Sequence, residues 1–522
     1  MNPMKVLLAA ALALTLSQGA FAQTPAPSEV TVTVDTSKAG PVIDRHIYGQ
    51  FAEHLGHGIY DGIWVGEHSK IPNIHGYRKD VVEALKAIKV PVVRWPGGCF
   101  ADMYDWRDGI GPRSKRPVRI NTHWGGVTEN NSFGTHEFLN FAELIGADAF
   151  VSGNVGSMTP LDMAHWMEYM TSSENSTLAN ERRKNGRKKP WTIKYFGIGN
   201  ELWGCGGVMN AQYAADVSNR YSIFVRPPPG QSVTKVISGP KGLDADVYDY
   251  TDTLMKNVQG IQMLSVHQYT LPNAHPLGAV GTPRGPALGF DETGWITMLA
   301  KAQTMDTLLT GLTKVMDKDD PANHTAIALD EWGSWYDPTP GTPPGFLMQQ
   351  NSLRDAEVAA LTLNIFHRHT DRVKMTNIAQ MVNVLQAMIL TDHEKFLRTP
   401  TYWIYAMYVP FQGATPLAAQ VAGPTYKQGE YAIAQVDVSA ARGVDGKLYL
   451  SLVNTDPNRP AHVTTNLSGA ATGQILTAPT MDAHNTFEAP NAVRPVAFAG
   501  RVEDGKLAFD LPAKAVAVVR VQ

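Results

Sequence analysis

TIKYFGIGNELWGCGG, residues 192–207, is the stretch from which the fold and the site are predicted. Its first half, Ile193–Gly199, has the composition of a short buried β-strand, and Asn200 and Glu201 follow at the end of that strand. A loop rich in glycine and tryptophan comes next. A carboxyl group at the end of a strand, beside an amide and a tryptophan, is a candidate catalytic group. The rest of the chain must then supply the partners that such a carboxyl group needs.

On both sides of this stretch, short apolar runs alternate with longer segments of helical periodicity, which is the pattern of a parallel sheet with crossover helices. Strands are predicted at Ile47–Phe51, Val92–Arg94, Ala147–Val151, Tyr195–Gly199, Thr234–Ser238, Met263–Val266, Thr325–Leu329 and Met375–Ala379. Helices are predicted at Tyr77–Ile88, Thr135–Leu144, Pro160–Met170, Ala211–Val225, Val247–Val258, Gly294–Met316 and Ser352–Arg368. Eight such units predict an α/β fold, the (β/α)8 or TIM barrel.

The pattern changes near residue 400, where helical periodicity gives way to short alternating strands. These are predicted at Tyr431–Val438, Lys447–Val453, His462–Thr465, Gly473–Leu476, Lys506–Leu511 and Ala515–Val521. They predict an all-β sandwich of the jelly-roll type. The alternation in Val30–Asp35 predicts one more strand of the same sandwich. The expected domains are therefore a catalytic barrel over residues 43–400 and a β-sandwich built from residues 29–42 and 401–522.

The first 22 residues have the composition of a secretory signal peptide. Lys5 precedes the apolar run Val6–Leu16, and Ala20-Phe21-Ala22 resembles a cleavage site. The apolar run is too short to span a bilayer. We therefore expect export to the periplasm or the medium, with no membrane segment in the mature chain.

Composition excludes several classes of function. A net charge of −3 and 18% charged residues provide no basic surface, so nucleic acid is not an expected partner. The sequence contains no P-loop, no dinucleotide-binding G-x-G-x-x-G and no G-x-S-x-G motif, and no H-E-x-x-H motif accompanies His54 and His57. We therefore expect neither a cofactor nor a metal ion.

The two cysteines, Cys99 and Cys205, could form a disulfide or remain free thiols.

Polar side chains stand at the predicted strand ends, which is where TIM barrels carry their active sites. They are Glu53, Arg94, Asn200, Glu201, His267, Tyr269, Glu331 and Gln380. Two of them, Glu201 and Glu331, each have a tryptophan within two residues. Glycoside hydrolysis uses one carboxylic acid, one carboxylate and aromatic surface for the sugar. The two glutamates are therefore predicted to face each other across the mouth of the barrel.

Each of these residues also has a structural alternative. Glu201 could stabilise a helix N-terminus, and Glu331 could belong to a structural ion pair. Asp330 is the rival carboxyl group, although strand alternation would direct it away from Glu331. Arg94 could be a barrel salt-bridge partner or could hold the nucleophile ionised. His267 could be a hydrogen-bonded histidine of the barrel rim or could act directly.

At these residues the chain resembles the α-L-arabinofuranosidases of glycoside hydrolase family 51. The matching stretches are IYGQFAEHLG (47–56), IPNIHGYRKDVVEALKAIKVPVVRWPGGCFAD (71–102), NTHWGGVTENNSFGTHEF (121–138), YFGIGNELWGCGG (195–207), ALDEWGSWY (328–336), AQMVNVLQAMI (379–389) and FLRTPTYW (396–403). The GNE motif is common to many barrel glycosidases, whereas the RWPGG and FGTHEF stretches are more specific.

The resemblance implies a retaining enzyme in which Glu201 is the general acid/base and Glu331 is the nucleophile. It also implies that arabinofuranose is bound by Glu53, Arg94, Cys99, Asn200, Tyr269 and Gln380, with His267 near the nucleophile. Cys99 stands where other family members carry asparagine. The expected substrate is an arabinose-containing oligosaccharide or polysaccharide, and because family members are commonly oligomeric, the resemblance also implies a homo-oligomer.

Three alternatives remain at the level of sequence. A β-xylosidase or an endoglucanase on the same barrel would keep both glutamates and change only the pocket. A non-catalytic polysaccharide-binding protein would use the sandwich and carry an inert barrel. A transglycosylase would transfer the sugar to an acceptor other than water.

Overall fold

The computed structural model describes residues 25–273 and 283–522, so the predicted signal peptide lies outside the described residues. Within the described chain, eight parallel strands form a closed barrel. Each strand pairs with the next one along the chain, and the last pairs with the first. The strands are β1 (Gly49–Phe51), β2 (Val92–Trp95), β3 (Asp148–Gly153), β4 (Tyr195–Ile198), β5 (Thr234–Ile237), β6 (Met263–Thr270), β7 (Ala326–Ser334) and β8 (Val373–Ile378).

The helices of the described residues lie mainly between these strands. They are α1 (Lys79–Ala87), α2 (Thr135–Ile145), α3 (Pro160–Thr171), α4 (Thr177–Lys184), α5 (Ala211–Ser222), α6 (Val247–Asn257), α7 (Glu292–Met316), α8 (Leu353–Arg368) and α9 (Pro400–Tyr408). Local sequence sets several of their ends. Thr159 and Asp162 form a capping box at the start of α3, which satisfies two free amides.

The interior of the barrel is apolar at one level. Buried side chains from several strands meet there, among them Val92, Phe150, Tyr195, Met263 and Met375. This layer closes the barrel as a packed core and not as a pore. The residues predicted for the site lie beyond this layer, toward the carboxyl ends of the strands, where the loops surround a common cavity.

Nine further strands of the described residues form a second closed sheet. They are Ser28–Ala39, Thr415–Ala422, Val436–Arg442, Leu448–Asn454, Ala461–Thr465, Ala471–Leu476, Val496–Glu503, Lys506–Leu511 and Ala515–Val521. The N-terminal strand pairs antiparallel with Thr415–Ala422 and parallel with Ala461–Thr465. This domain encloses its own apolar core, and α8 packs against it. The predicted fold class, a (β/α)8 barrel with an added β-sandwich, is thus confirmed.

Four two-stranded hairpins complete the described strands: Asn73–Ile74 with Tyr77–Arg78, Arg119–Asn121 with Val127–Glu129, Ile389–Asp392 with Lys395–Arg398, and Thr425–Gln428 with Tyr431–Ala434. The last one corrects a prediction, because the expected strand Tyr431–Val438 is divided between this hairpin and the second sheet. Among the residues described, we find no helix that combines the length and the apolar character needed to cross a bilayer.

Candidate active site

Glu201 stands on a sharp turn that directly follows strand β4. Gly199 has a φ of 81°, and a Cβ atom there would lie 2.6 Å from Val155 Cγ2, so the turn requires glycine. Glu201 itself has a φ of 41°. That left-handed backbone costs a non-glycine residue about 1–2 kcal/mol. Strain of this kind is common at functional sites, where the surrounding structure holds it in place.

Glu331 lies inside strand β7 and is held by two donors. Arg94 Nη1 donates to its Oε1 at 2.7 Å, and the hydroxyl of Tyr269 donates to its Oε2 at 2.8 Å. Arg94 Nη2 also donates to Asn200 Oδ1 at 2.6 Å. All four side chains are buried. A guanidinium and a phenol thus donate hydrogen bonds to the two oxygens of Glu331 and fix the orientation of its carboxyl group.

The ring of His267 lies between the two glutamates. Its Nδ1 is 2.9 Å from Glu201 Oε1 and 3.6 Å from Glu331 Oε2, and its Nε2 is 3.5 Å from Asp330 Oδ1. Burial lowers the pKa of His267, but the charges of Glu331 and Asp330 and the hydrogen bonds outweigh burial and raise the pKa to about 10. His267 is therefore an imidazolium at neutral pH, and it places a positive charge between the carboxyl groups.

The two glutamates form a close but unequal pair. One carboxylate oxygen of Glu201 lies within 4.8 Å of one from Glu331. Burial raises the pKa of Glu201, and the hydrogen bond and charge of His267 oppose that shift only in part. The net effect on Glu201 is a raised pKa, whereas Glu331 receives hydrogen bonds from Arg94 and Tyr269. One group suited to donate a proton therefore faces one suited to attack as an anion.

A third carboxyl group, Glu53, also lines the cavity. Its Oε1 accepts hydrogen bonds from the backbone amides of Gly98 and Phe100, both at 3.0 Å, and from Trp124 Nε1 at 2.9 Å. Its Oε2 lies 3.2 Å from Gln380 Nε2. Burial and the charge of Glu331 raise the pKa of Glu53 to about 7. This fixed carboxyl group can receive hydrogen bonds from the hydroxyls of a bound sugar.

The glycine pair of the RWPGG motif makes room for these carboxyl groups. A Cβ atom on Gly98 would lie 2.7 Å from Glu331 Oε1, and one on Gly97 would lie 2.7 Å from Glu53 Cγ. Both distances are too short for a real Cβ contact. The backbone of the β2 loop can therefore approach both carboxyl groups only because these positions have no side chain.

Cys99 and Cys205 form a disulfide, which the sequence had left open. The bond joins the loop after β2 to the loop that follows Glu201, and both cysteines line the cavity. Cys205 Sγ lies 3.5 Å from Glu201 Oε2. The disulfide therefore restrains the loop that carries Glu201 and forms part of the wall beside its carboxyl group.

The expectation that Asp330 points away from Glu331 is wrong. Asp330 Oδ2 lies 3.3 Å from Arg94 Nε, so both acidic side chains reach the same arginine. The register between β6 and β7 shifts between Ser265 and His267. Simple alternation of side chains fails at such an irregularity, because one strand gains residues relative to its neighbour. Asp330 also accepts a hydrogen bond from Ser265 Oγ at 2.5 Å.

Two further contributors were not singled out from the sequence. Trp124 donates to Glu53, as described above, and lines the cavity; it lies in the NTHWGG stretch, so a signal for it was present. Asp102 Oδ1 accepts hydrogen bonds from the amides of Val155 and Gly156. Burial raises the pKa of Asp102 to about 7. These contacts could not be predicted from local sequence, because the two amides lie 53 and 54 positions away from Asp102.

The structure brings all the predicted site residues together. The cavity they surround has a volume of about 920 Å³ and is also lined by Trp124, Trp203 and Trp335. Six predicted residues line it directly: Glu53, Cys99, Glu201, Tyr269, Glu331 and Gln380. Of the other three, Arg94 donates to Glu331, His267 is hydrogen-bonded to Glu201, and Asn200 accepts a hydrogen bond from Arg94. An aromatic cavity with a few convergent polar groups is typical of a small-molecule site.

Two groups of described residues have ligand atoms close enough to hold a metal ion, namely Cys99, Glu201 and Cys205, and Glu201, His267 and Glu331. The sulfur atoms of the first group are bonded to each other, so they are not thiolate ligands. In the second group, the Nδ1 atom of His267 is hydrogen-bonded to Glu201. The residues thus present a hydrogen-bonded acid-base set.

Comparison with known proteins matches both parts of the chain to α-L-arabinofuranosidases. Residues 84–228 match the family model described as "Alpha-L-arabinofuranosidase 1 domain". Residues 330–515 match the model described as "Alpha-L-arabinofuranosidase C-terminal domain". An "Intracellular exo-alpha-L-arabinofuranosidase" of Bacteroides ovatus is 46% identical over 505 residues, covering 95% of this chain and 96% of that protein.

Solved structures agree with this assignment. The GH51 arabinofuranosidase from Xanthomonas axonopodis pv. citri is 51% identical and superposes with a TM-score of 0.92, covering 95% of this chain and all of the other. The α-L-arabinofuranosidase from Thermotoga maritima, solved as an arabinose complex, is 30% identical with a TM-score of 0.81 over 94% of this chain and 100% of the other.

The prediction of export is contradicted by these comparisons. The Bacteroides ovatus relative, which matches 95% of this chain, is described as intracellular. The prediction rested on the composition of residues 1–22 alone, and an apolar run followed by small residues is not specific enough to establish export.

The assignment of the family rests on matches to both domains and along the whole barrel. The chain belongs to the α-L-arabinofuranosidases of glycoside hydrolase family 51.

Proposed function

We propose that this enzyme removes terminal α-L-arabinofuranosyl units by double displacement, with Glu331 as nucleophile and Glu201 as general acid/base. The single observation that carries the proposal is the unequal pair: one oxygen of each carboxyl group within 4.8 Å, with Arg94 bound to Glu331 and with burial raising the pKa of Glu201. Carboxyl groups about 5–5.5 Å apart are typical of retaining enzymes, because inversion needs room for a water molecule between them.

In the first step, a Glu331 oxygen attacks the anomeric carbon while the bond from that carbon to the leaving oxygen breaks. Glu201 gives its proton to the leaving oxygen, so the leaving group departs as an alcohol. The products are a covalent arabinosyl ester of Glu331 and a Glu201 carboxylate. The nearby imidazolium of His267 stabilises the charge that now appears on Glu201.

In the second step, Glu201 removes a proton from water, and the water oxygen attacks the anomeric carbon. The ester bond to Glu331 breaks, and its carboxylate is restored. Each displacement inverts the anomeric carbon, so the released arabinose has the configuration of the substrate. Arg94 and Tyr269 stabilise the negative charge that returns to Glu331, and they need not rearrange, since their hydrogen bonds to it already exist.

We propose that the sugar ring is held by the remaining residues of the cavity. Fixed hydrogen-bonding groups around it are supplied by Glu53, Arg94, Asn200, Tyr269 and Gln380, and the wall beside Glu201 is supplied by Cys99 in its disulfide. The backbone amides that bind Glu53 keep this carboxyl group in one orientation. Orientation of the sugar relative to Glu331 lowers the entropy that must be lost at the reaction step.

We further propose that the enzyme acts at non-reducing ends of arabinan, arabinoxylan or oligosaccharides derived from them. The cavity is walled on one side by the segment from Pro338 to Leu347, and this wall limits how a polymer can approach. We propose the following domain boundaries: the barrel comprises residues 43–400, and the β-sandwich comprises residues 29–42 and 401–522. The homo-oligomer implied by the family is tested by light scattering coupled to size-exclusion chromatography.

The catalytic roles are tested with two glutamine variants and two substrates. Glu331→Gln should abolish turnover of every α-L-arabinofuranoside. Glu201→Gln should lose about 10²–10⁴-fold in kcat on arabino-oligosaccharides, which need a proton at the leaving oxygen. It should lose far less on an aryl arabinofuranoside with an acidic leaving group. Glu357→Gln, a buried glutamate on α8 outside the cavity, is the matched control and should keep full activity.

Two outcomes would contradict the proposal. Equal losses of Glu201→Gln on both substrates would remove Glu201 from the role of acid. Release of xylose or glucose, and not arabinose, from a panel of nitrophenyl glycosides would replace the proposed activity with another glycosidase activity on the same barrel.

A further inference from the structure

The carboxyl group of Asp330 lies between the two cationic side chains of the site. Asp330 stands on strand β7, and only 2% of its surface is exposed. Its Oδ2 is 3.3 Å from Arg94 Nε, and its Oδ1 is 3.5 Å from His267 Nε2. Arg94 in turn donates to Glu331, and His267 is hydrogen-bonded to Glu201. One carboxyl group therefore contacts both cations on which the two glutamates depend.

The two N–H groups that face Asp330 are buried and have few alternatives. Arg94 Nε and His267 Nε2 make no regular hydrogen bond within residues 25–273 and 283–522. The acidic group within ion-pair distance of each is Asp330. A buried cation that loses its counter-charge is strongly destabilised, because water no longer solvates it. Removal of the carboxylate would therefore disturb both cations at once.

Asp330 is itself held in place as an anion. Ser265 Oγ, on the neighbouring strand β6, donates to its Oδ1 at 2.5 Å. Its backbone carbonyl accepts a hydrogen bond from Arg94 Nη1 at 3.3 Å. Burial raises the pKa of Asp330, but the charges of Arg94 and His267 and the hydrogen bonds outweigh burial and keep the pKa below its ordinary value. Asp330 thus carries a fixed negative charge at neutral pH.

The charges around the catalytic pair balance only when Asp330 is included. Arg94 and His267 contribute two positive charges. The proposed mechanism needs one negative charge on Glu331 and a proton on Glu201. The carboxylate of Asp330 supplies the second negative charge. Without it, the buried group would carry a net positive charge, which favours loss of the proton from Glu201.

Other charged groups near these cations have partners of their own. The charge of Arg94 also acts on Glu53, but Glu53 receives its hydrogen bonds from loop amides and from an indole. Lys241 lies beside strand β6, and its Nζ is 2.6 Å from Asp244 Oδ2. Asp330 is thus the carboxylate that contacts both cations.

We propose that Asp330 is a positioning residue that holds Arg94 against the nucleophile and His267 against the acid. Its negative charge offsets the second cation, so that Glu201 keeps its proton until the leaving oxygen takes it. Asp330 lies outside the lining of the cavity and therefore acts through these side chains. The inference rests on the proposed function, because it assigns the effect of Asp330 to the acid and nucleophile roles of the two glutamates.

The test compares Asp330→Asn with a control of the same kind. Asparagine keeps the shape of the side chain and an acceptor for Ser265 but removes the charge. Asp320→Asn is the matched control, since Asp320 is also a buried aspartate paired with an arginine, with its Oδ2 2.7 Å from Arg372 Nη1. Asp320 precedes the amino end of β7, away from the catalytic residues. The control therefore separates a loss of stability from an effect on the site.

The first readout is the pH profile on an aryl α-L-arabinofuranoside. Asp330→Asn should lower kcat about 10- to 100-fold with KM within about 3-fold, because misplaced groups slow the reaction step. Its alkaline limb should move to lower pH by about 0.5–1.5 units, since loss of a nearby negative charge makes the proton of Glu201 easier to remove. Loss of the charge of His267 would move that limb the opposite way. Asp320→Asn should leave the limb and kcat unchanged.

The second readout is independent of turnover. Heteronuclear NMR of enzyme labelled at the histidine nitrogens reports whether both ring nitrogens of His267 carry protons, and the spectrum of His267→Asn identifies its signals. In the unaltered enzyme both should stay protonated up to about pH 9, since the pKa of His267 is raised to about 10. In Asp330→Asn this pKa should fall by about 1–3 units, as expected for the loss of a charge in direct contact.

Several results would overturn the role of Asp330. They are an unchanged pKa of His267 in Asp330→Asn, an alkaline limb that stays in place or rises, and an equal loss of kcat in Asp320→Asn. A neutral His267 at about pH 8 in the unaltered enzyme would overturn it even if Asp330→Asn does not fold. Failure of the unaltered enzyme to release arabinose from the aryl substrate would instead overturn the proposed function, whereas the NMR result does not depend on turnover.

Discussion

Replacement of His267 by asparagine should shift the alkaline limb of the pH profile upward. Asparagine can keep a donor near Glu201 but removes the positive charge. His267 Nδ1 lies 2.9 Å from Glu201 Oε1, and its charge and hydrogen bond lower the pKa of Glu201. Unit charges about 4 Å apart interact by about 1–4 kcal/mol between bulk water and a partly buried site. At about 1.4 kcal/mol per pKa unit, this predicts a shift of about 1–3 pH units.

The sign follows from the proposed role of Glu201 as the acid. Glu201 is active while protonated, and loss of the neighbouring positive charge makes its proton harder to remove. The measurement is kcat/KM on an aryl α-L-arabinofuranoside from about pH 4 to pH 10, for the unaltered enzyme and for His267→Asn. The maximum rate should also fall, because the imidazolium stabilises both carboxyl groups. An alkaline limb that stays in place, or moves to lower pH, would refute the assigned electrostatics.

Three further changes test other parts of the structure. Gly98→Ala should lower kcat/KM at least about 100-fold with little loss of folding, because its methyl group would lie 2.7 Å from Glu331 Oε1; a normal rate would contradict the tight approach. Glu357→Gln should raise the thermal stability more at pH 7.5 than at pH 5. Burial raises the pKa of Glu357 well above 4.5, so the folded state keeps the proton, and each pH unit between the unfolded and folded pKa values costs about 1.4 kcal/mol of stability. An equal gain at both pH values would contradict this. Replacement of Cys99 and Cys205 by serine should lower the free energy of unfolding by about 2–5 kcal/mol and reduce activity, measured by denaturant unfolding and by kcat; full activity with unchanged stability would show that the disulfide restrains nothing.

The barrel could be predicted because its signals are local. Each buried strand corresponds to a short run of apolar residues. In each helix, apolar residues recur with the helical period, so that they fall on the buried face. The helix predicted at Pro160–Met170 forms at Pro160–Thr171, where a capping box fixes the start. The strands Thr415–Ala422 and Val496–Glu503 were missed because they lack a clear alternation: the first contains proline and several alanines, and the second is largely exposed.

The residues of the site could be predicted from the sequence, but the contacts among them could not. Residues at strand ends converge in any TIM barrel, so Glu201, Glu331 and Arg94 could be selected before their distances were known. The position of Asp330 could not be predicted, because a shift in strand register brings its side chain into contact with Arg94. The disulfide could not be predicted either, since its cysteines are 106 positions apart in the sequence and only the folded barrel brings them together.

The central claim is that Glu331 forms a covalent intermediate and Glu201 serves first as acid and then as base. The most direct test is proton NMR of the arabinose first released from an aryl α-L-arabinofuranoside, recorded before the anomers equilibrate. The close pair of Glu201 and Glu331 predicts the α-anomer, with the β-anomer appearing only later by mutarotation. A β-anomer formed first would mean inversion by a single displacement and would contradict the account.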